Sequence, residues 1–116
     1  MTQSVPRFLQ GIYRFEGKGL DQPFPLDGLP AYTVPDGTVT QPVYFRGGNA
    51  AHELIIVILM RDGAPMRYFP IAAKGDVHVP LRVVEDLEPG TAIELHVAAP
   101  VGLAAAVVID LGLVEV

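Results

Sequence analysis

Seven consecutive apolar residues, Leu54 to Met60, end at Arg61-Asp62-Gly63. The run is far too short to cross a bilayer and closes on an Asp-Gly turn signal, so it predicts a strand covered on both faces. It also predicts a hairpin, whose second arm occupies residues 65–71. Two later segments alternate with the two-residue period of a half-buried strand. In the first, Val77, Val79, Leu81 and Val83 oppose His78, Pro80, Arg82 and Val84; in the second, Ile93, Leu95 and Val97 oppose Ala92, Glu94, His96 and Ala98.

Weaker elements fill the rest of the chain. Residues 11–16 form a first strand with Tyr13 and Phe15 facing inward. Residues 17–30, rich in proline and glycine, predict a long ordered loop that tucks Leu20, Phe24, Leu26 and Leu29 against the core. A short strand at 31–34 leads through Pro35-Asp36-Gly37 to another at 38–46. Pro42 lacks an amide proton and marks that strand as a candidate edge. Gly47-Gly48-Asn49 then reads as a turn, as do Lys74-Gly75-Asp76 and residues 85–90. The final stretch, 103–116, is apolar, and its β-branched Val107, Val108, Ile109, Val114 and Val116 argue for one or two strands that finish a core sheet or enter an interface.

No segment has the periodicity of a three-turn amphipathic helix. Seven or eight short strands at this spacing predict an all-β fold, a compact antiparallel β-sandwich, with a jelly-roll-like arrangement or a small barrel as alternative topologies. A length of 116 residues suits a single domain over residues 1–116.

Composition narrows the partners. Thirteen acidic against eight basic residues give a formal charge of −5 with no Lys/Arg cluster, which disfavours nucleic acid. No apolar run is long enough to span a membrane. Charged residues make up 18% of the chain, below the usual quarter, and this apolar surplus points toward a homo-oligomer or a larger protein assembly. The first residues lack the charged and apolar regions of a signal peptide, so the expected location is cytoplasmic.

Candidate chemistry is sparse. His52-Glu53 resembles the start of a zinc-protease motif, but Ile56 stands where the second histidine belongs. Gly17-Lys18-Gly19 lacks the remainder of a phosphate loop or dinucleotide fingerprint. There is no cysteine, and Ser4 is the sole serine, which removes the usual nucleophiles; no cofactor is expected. An enzyme would have to assemble His52, Glu53, Asp76, His78 or His96 from separate strands.

Two constellations remain. If residues 77–84 and 91–98 pair as a hairpin, His78 lies opposite His96 and Arg82 lies diagonal to Glu94, a polar face that could hold a divalent metal or simply meet solvent. Separately, Tyr44, Arg46, Arg67, Tyr68 and Lys74 carry the contact chemistry of recognition surfaces and could converge beside Phe24. The leading expectation is a noncatalytic oligomerisation or accessory protein-interaction module. The alternative is a sandwich that binds a small molecule (a sugar or organic anion) or a divalent metal, or an enzyme with its site at a subunit interface.

Overall fold

The computed structural model describes residues 4–81 and 85–116. Nine strands are present among them: β1 Val5–Glu16, β2 Gly19–Pro25, β3 Tyr32–Thr33, β4 Thr40–Asn49, β5 Ile55–Arg61, β6 Ala64–Ile71, β7 Asp76–Pro80, β8 Ala92–Ala99 and β9 Ala104–Glu115. They form two sheets, one in the order β1-β9-β4-β7 and one in the order β2-β8-β5-β6, with β3 beside β8. Every strand pair is antiparallel. The sheets remain separate layers of a β-sandwich, so the barrel alternative does not hold.

The apolar run behaves as its pattern predicts. β5 lies between β6 and β8, with Ile55, Val57 and Leu59 turned into the core and Ile58 and Met60 buried on the opposite face. Leu54 stays outside the strand, 42% exposed. The turn after β5 has two residues, Asp62 and Gly63, both at positive φ (50° and 81°), the geometry that matches the right-handed twist of a hairpin. Across the core, Phe45 of β4 stacks on Phe69 of β6 at 4.2 Å between ring centroids. The C-terminal stretch is one strand rather than two. β9 occupies the interior of its sheet and sends Val107, Ile109, Leu111 and Leu113 into the core, and Val116 exchanges backbone hydrogen bonds with Val39.

Four expectations need correction. β4 is an interior strand, not an edge: Pro42 is accommodated because the register shifts between Pro42 and Tyr44, a bulge that relaxes the ladder where an amide proton is missing. Gly47-Gly48-Asn49 continues β4, and the chain turns only after Asn49. The expected loop at 17–30 contains β2, paired irregularly with β8; Leu26 is buried and Phe24 and Leu29 pack on the core, but Leu20 is exposed. Finally, β7 and β8 do not form a hairpin. β7 pairs with β4 and β8 with β5, so the two alternating segments lie in different sheets. Alternation identifies a buried face but carries no information about which strand lies alongside.

Candidate functional site

The outer surface of the β1-β9-β4-β7 sheet brings together polar side chains from β4, β7 and β9. Register defines three rows of side chains running across its strands. Phe8, Gly112, Tyr44 and Pro80 form one. Gln10, Asp110, Arg46 and His78 form the next. Ile12, Val108, Gly48 and Asp76 form the third.

Two adjacent glycines on β4 have opposite duties. Gly47 faces inward, where a Cβ would lie 2.8 Å from the Phe45 ring and 2.9 Å from Ile71 Cδ1, so its absent side chain is a packing requirement. Gly48 faces outward, where a Cβ would meet only Val108, at 3.5 Å, an ordinary contact. The missing side chain at Gly48 opens a groove of about 470 Å³ between Val108 and Asp76, bounded on its other side by Arg46, His78 and Asp110. That volume lies within the range of small-ligand sites.

The polar wall is held in place. Tyr44 leans across Gly112, where a Cβ would collide with its ring, and its hydroxyl donates to Asp110 Oδ1 at 2.8 Å. Burial, followed by this bond to a carboxylate, pushes the Tyr44 phenol above its ordinary pKa. Asp110 Oδ2 lies 4.0 Å from Arg46 Nη1, a loose contact that leaves the largely exposed guanidinium free to bond elsewhere. The His78 ring meets Tyr44 edge to face at 6.1 Å. Carboxylate acceptors, a fork of cationic donors and an imidazole thus border one shallow depression.

The other sequence-derived candidates lie elsewhere. His96 and Glu94 occupy the outer face of the opposite sheet, so His78 and His96 cannot share a metal. His96 Nε2 is buried without a hydrogen-bond partner among the described residues, 3.7 Å from Glu94 Oε2. Arg82 lies outside the described residues. Arg67 and Tyr68 line a separate cleft of about 270 Å³ between the β6 and β7 edges, where Arg67 pairs with Glu85. Lys74 donates to the Ala50 carbonyl at 2.8 Å, and Phe24 sits on β2 beneath the Lys18 ammonium. The expected convergence of Tyr44, Arg46, Arg67, Tyr68 and Lys74 beside Phe24 does not occur, because β4 and β6 belong to different sheets. Among the described residues, no three His, Asp or Glu side chains are placed to hold a metal.

The sequence reading missed Asp110, Asp76 as its partner in the groove, and Gly48 as the groove's cause. It also missed a polar cluster inside the sandwich. Glu115, 5% exposed, accepts from the Tyr32 hydroxyl at 2.6 Å and from Arg7 Nε at 3.2 Å, while Tyr32 and Thr40 share a further bond of 2.8 Å. The bond from Tyr32, aided by Arg7, holds the Glu115 carboxyl below its usual pKa even though burial pushes it up. Burial and the bond to Glu115 raise the Tyr32 phenol. The signal was present in the alternation: Leu111, Leu113 and Glu115 share the inward face of β9, so Glu115 stands at a core position.

No protein-family model and no curated protein sequence matches the chain. Solved structures do resemble it. The CBM36-1 domain of a multidomain xylanase from the hindgut metagenome of Trinervitermes trinervoides is 16% identical, with a TM-score of 0.57 over 95% of this chain and 96% of that one. The VP2 subviral particle of infectious bursal disease virus is 13% identical, with a TM-score of 0.51 over 97% of this chain but 32% of that chain. At these identities the likeness establishes the fold alone, an antiparallel β-sandwich. Among the described residues, no helix is long and apolar enough to cross a membrane.

Proposed function

We propose that the chain is a small-ligand-binding β-sandwich and that the groove over Gly48 takes a neutral polyhydroxylated ring, a sugar. The observation that carries this is the opening beside Gly48, bordered by Asp76, Asp110, Arg46 and His78. Vicinal hydroxyls both donate and accept, so they can bond to carboxylates and to a guanidinium at the same time. An organic anion, the other small ligand considered, would face two carboxylates against one guanidinium in a protein of net charge −5. Tyr44 acts by orienting Asp110. The fold likeness to a domain of a xylanase adds support for a saccharide.

Such a site is shallow and its affinity modest. Three or four charge-assisted hydrogen bonds, less the cost of immobilising the ligand, correspond to a Kd of about 1 mM. Isothermal titration with methyl glycosides of neutral sugars and with the matching uronic acids tests the reading. The neutral glycosides bind more tightly than the acids, and Gly48→Val, which fills the groove from a half-buried, outward-facing strand position, abolishes binding while preserving the fold. Preference for the acids, or full binding by Gly48→Val, overturns it.

A second reading, self-association, is favoured by one observation: Phe8 and Ile12 are 52% and 72% exposed on β1, an edge strand. Sedimentation of the purified chain across concentration tests it, with a dimer as its expected result and a concentration-independent monomer as its refutation.

A further inference from the structure

We infer that the ligand of the groove is a glycoside whose sugar carries an apolar aglycone, and that the aglycone lies over Val108 and Ile12. This rests on the sugar-binding reading above and specifies its ligand class.

Val108 belongs to two surfaces at once. It forms the apolar wall of the groove, and across the ladder it is the direct partner of Ile12 on β1. Both side chains point away from the core, Val108 47% and Ile12 72% exposed. Adjacent strands are about 4.8 Å apart, so the distance from the Asp76 strand to the Val108 strand is about 10 Å, enough for one pyranose ring over Gly48. The next strand spacing, from Val108 to Ile12, adds about 5 Å, the width of one aromatic ring. The third row of this sheet face thus passes from a carboxylate, over an open floor, to two aliphatic side chains. A ligand aligned along it would need hydroxyls at one end and an apolar group at the other.

A second copy of the chain is the weaker occupant of the same stripe. Phe8 is separated from Ile12 by the polar Gln10–Asp110 pair, so the large exposed apolar side chains of the stripe are two, Ile12 and Val108. A stable dimer buries about 800 Å² and 20 or more residues on each partner. A copy seated over Ile12 and Val108 would also cover the mouth of the groove.

The test compares methyl with 4-nitrophenyl β-D-xylopyranoside, glucopyranoside and galactopyranoside by titration calorimetry on wild type, Ile12→Ser and Val108→Thr, with sedimentation of each. Wild type binds the 4-nitrophenyl member of the preferred pair at least about tenfold more tightly than the methyl member. In Ile12→Ser and Val108→Thr that ratio falls below about threefold, and in Ile12→Ser, which lies outside the groove, methyl glycoside affinity is unchanged. Equal affinity for the two glycosides in wild type, or an aryl preference that survives both substitutions, overturns the aglycone subsite and leaves the sugar reading standing. Failure of every methyl and aryl glycoside to bind overturns both. A wild-type dimer that becomes a monomer in Ile12→Ser assigns the stripe to a second copy and also overturns the subsite.

Discussion

Replacing Asn49 by alanine removes a side chain that ties together three stretches of backbone. Asn49 is 4% exposed; its amide nitrogen lies 2.9 Å from the Glu53 carbonyl and 3.2 Å from the carbonyls of Ile71 and Ala72, and its oxygen accepts from Ala51 N at 2.8 Å. It therefore locks the turn after β4 to the end of β6. Two or three bonds at about 1 kcal/mol each are lost, and the buried Ala51 amide is left without a partner, which adds about 1 kcal/mol or more. The expected destabilisation is about 3 kcal/mol. Asn49→Asp is expected to cost at least as much at neutral pH, because a carboxylate donates nothing to three facing carbonyls. Urea unfolding of the three proteins, followed by circular dichroism with a common m-value, measures these differences. A loss below about 1 kcal/mol in Asn49→Ala would show that the turn holds without this side chain and refute the reasoning.

Three further outcomes follow from the geometry. Gly47→Ala pushes a methyl into Phe45 and Ile71 and is expected to cost about 1–3 kcal/mol, whereas Gly48→Ala, with room for its Cβ, leaves stability unchanged or raises it by up to about 1 kcal/mol; denaturant midpoints read both. Glu115 has a lowered folded-state pKa, so its contribution is present above the ordinary carboxylate pKa of about 4.3 and disappears as pH falls through the folded value. The stability gap between wild type and Glu115→Gln therefore narrows on acidification from pH 5 toward pH 2, and a gap that stays constant contradicts the assignment. Tyr44→Phe releases Asp110 from its 2.8 Å hydrogen bond and is expected to weaken glycoside binding by about fivefold or more, while shifting stability by no more than about 1 kcal/mol.

The layers of this fold were legible because burial imposes a period on strands. Leu54 to Met60 announced a strand covered on both faces, and Ile93, Leu95 and Val97 announced their buried side, since the pleat sends alternate residues to opposite faces. Pairing was not legible. Nothing in residues 77–84 distinguishes β4 from β8 as a neighbour, and the wrong neighbour placed His78 beside His96. Pro42 misled for a related reason: the bulge that accommodates it is a property of the paired strands, not of the local sequence. Tyr44, Arg46 and His78 were recognised by their chemistry, and the structure gathers these three. Arg67, Tyr68, Glu94 and His96 were chosen on the same grounds and lie elsewhere because they belong to β6 and β8. Gly48 escaped notice because a glycine in sequence signals a turn, whereas here its effect is the empty space it leaves between Val108 and Asp76.

The central claim is that this empty space binds a sugar. The most direct test is an amide chemical-shift map of the 15N-labelled chain titrated with the neutral methyl glycoside that binds most tightly. The account predicts saturable shifts concentrated at Arg46, Gly48, Asp76, His78, Val108 and Asp110, and none at Glu94 or His96 on the opposite sheet. Saturable shifts confined to the Arg67–Tyr68 cleft or to the His96 face, or no saturable shifts with any neutral glycoside, would contradict it.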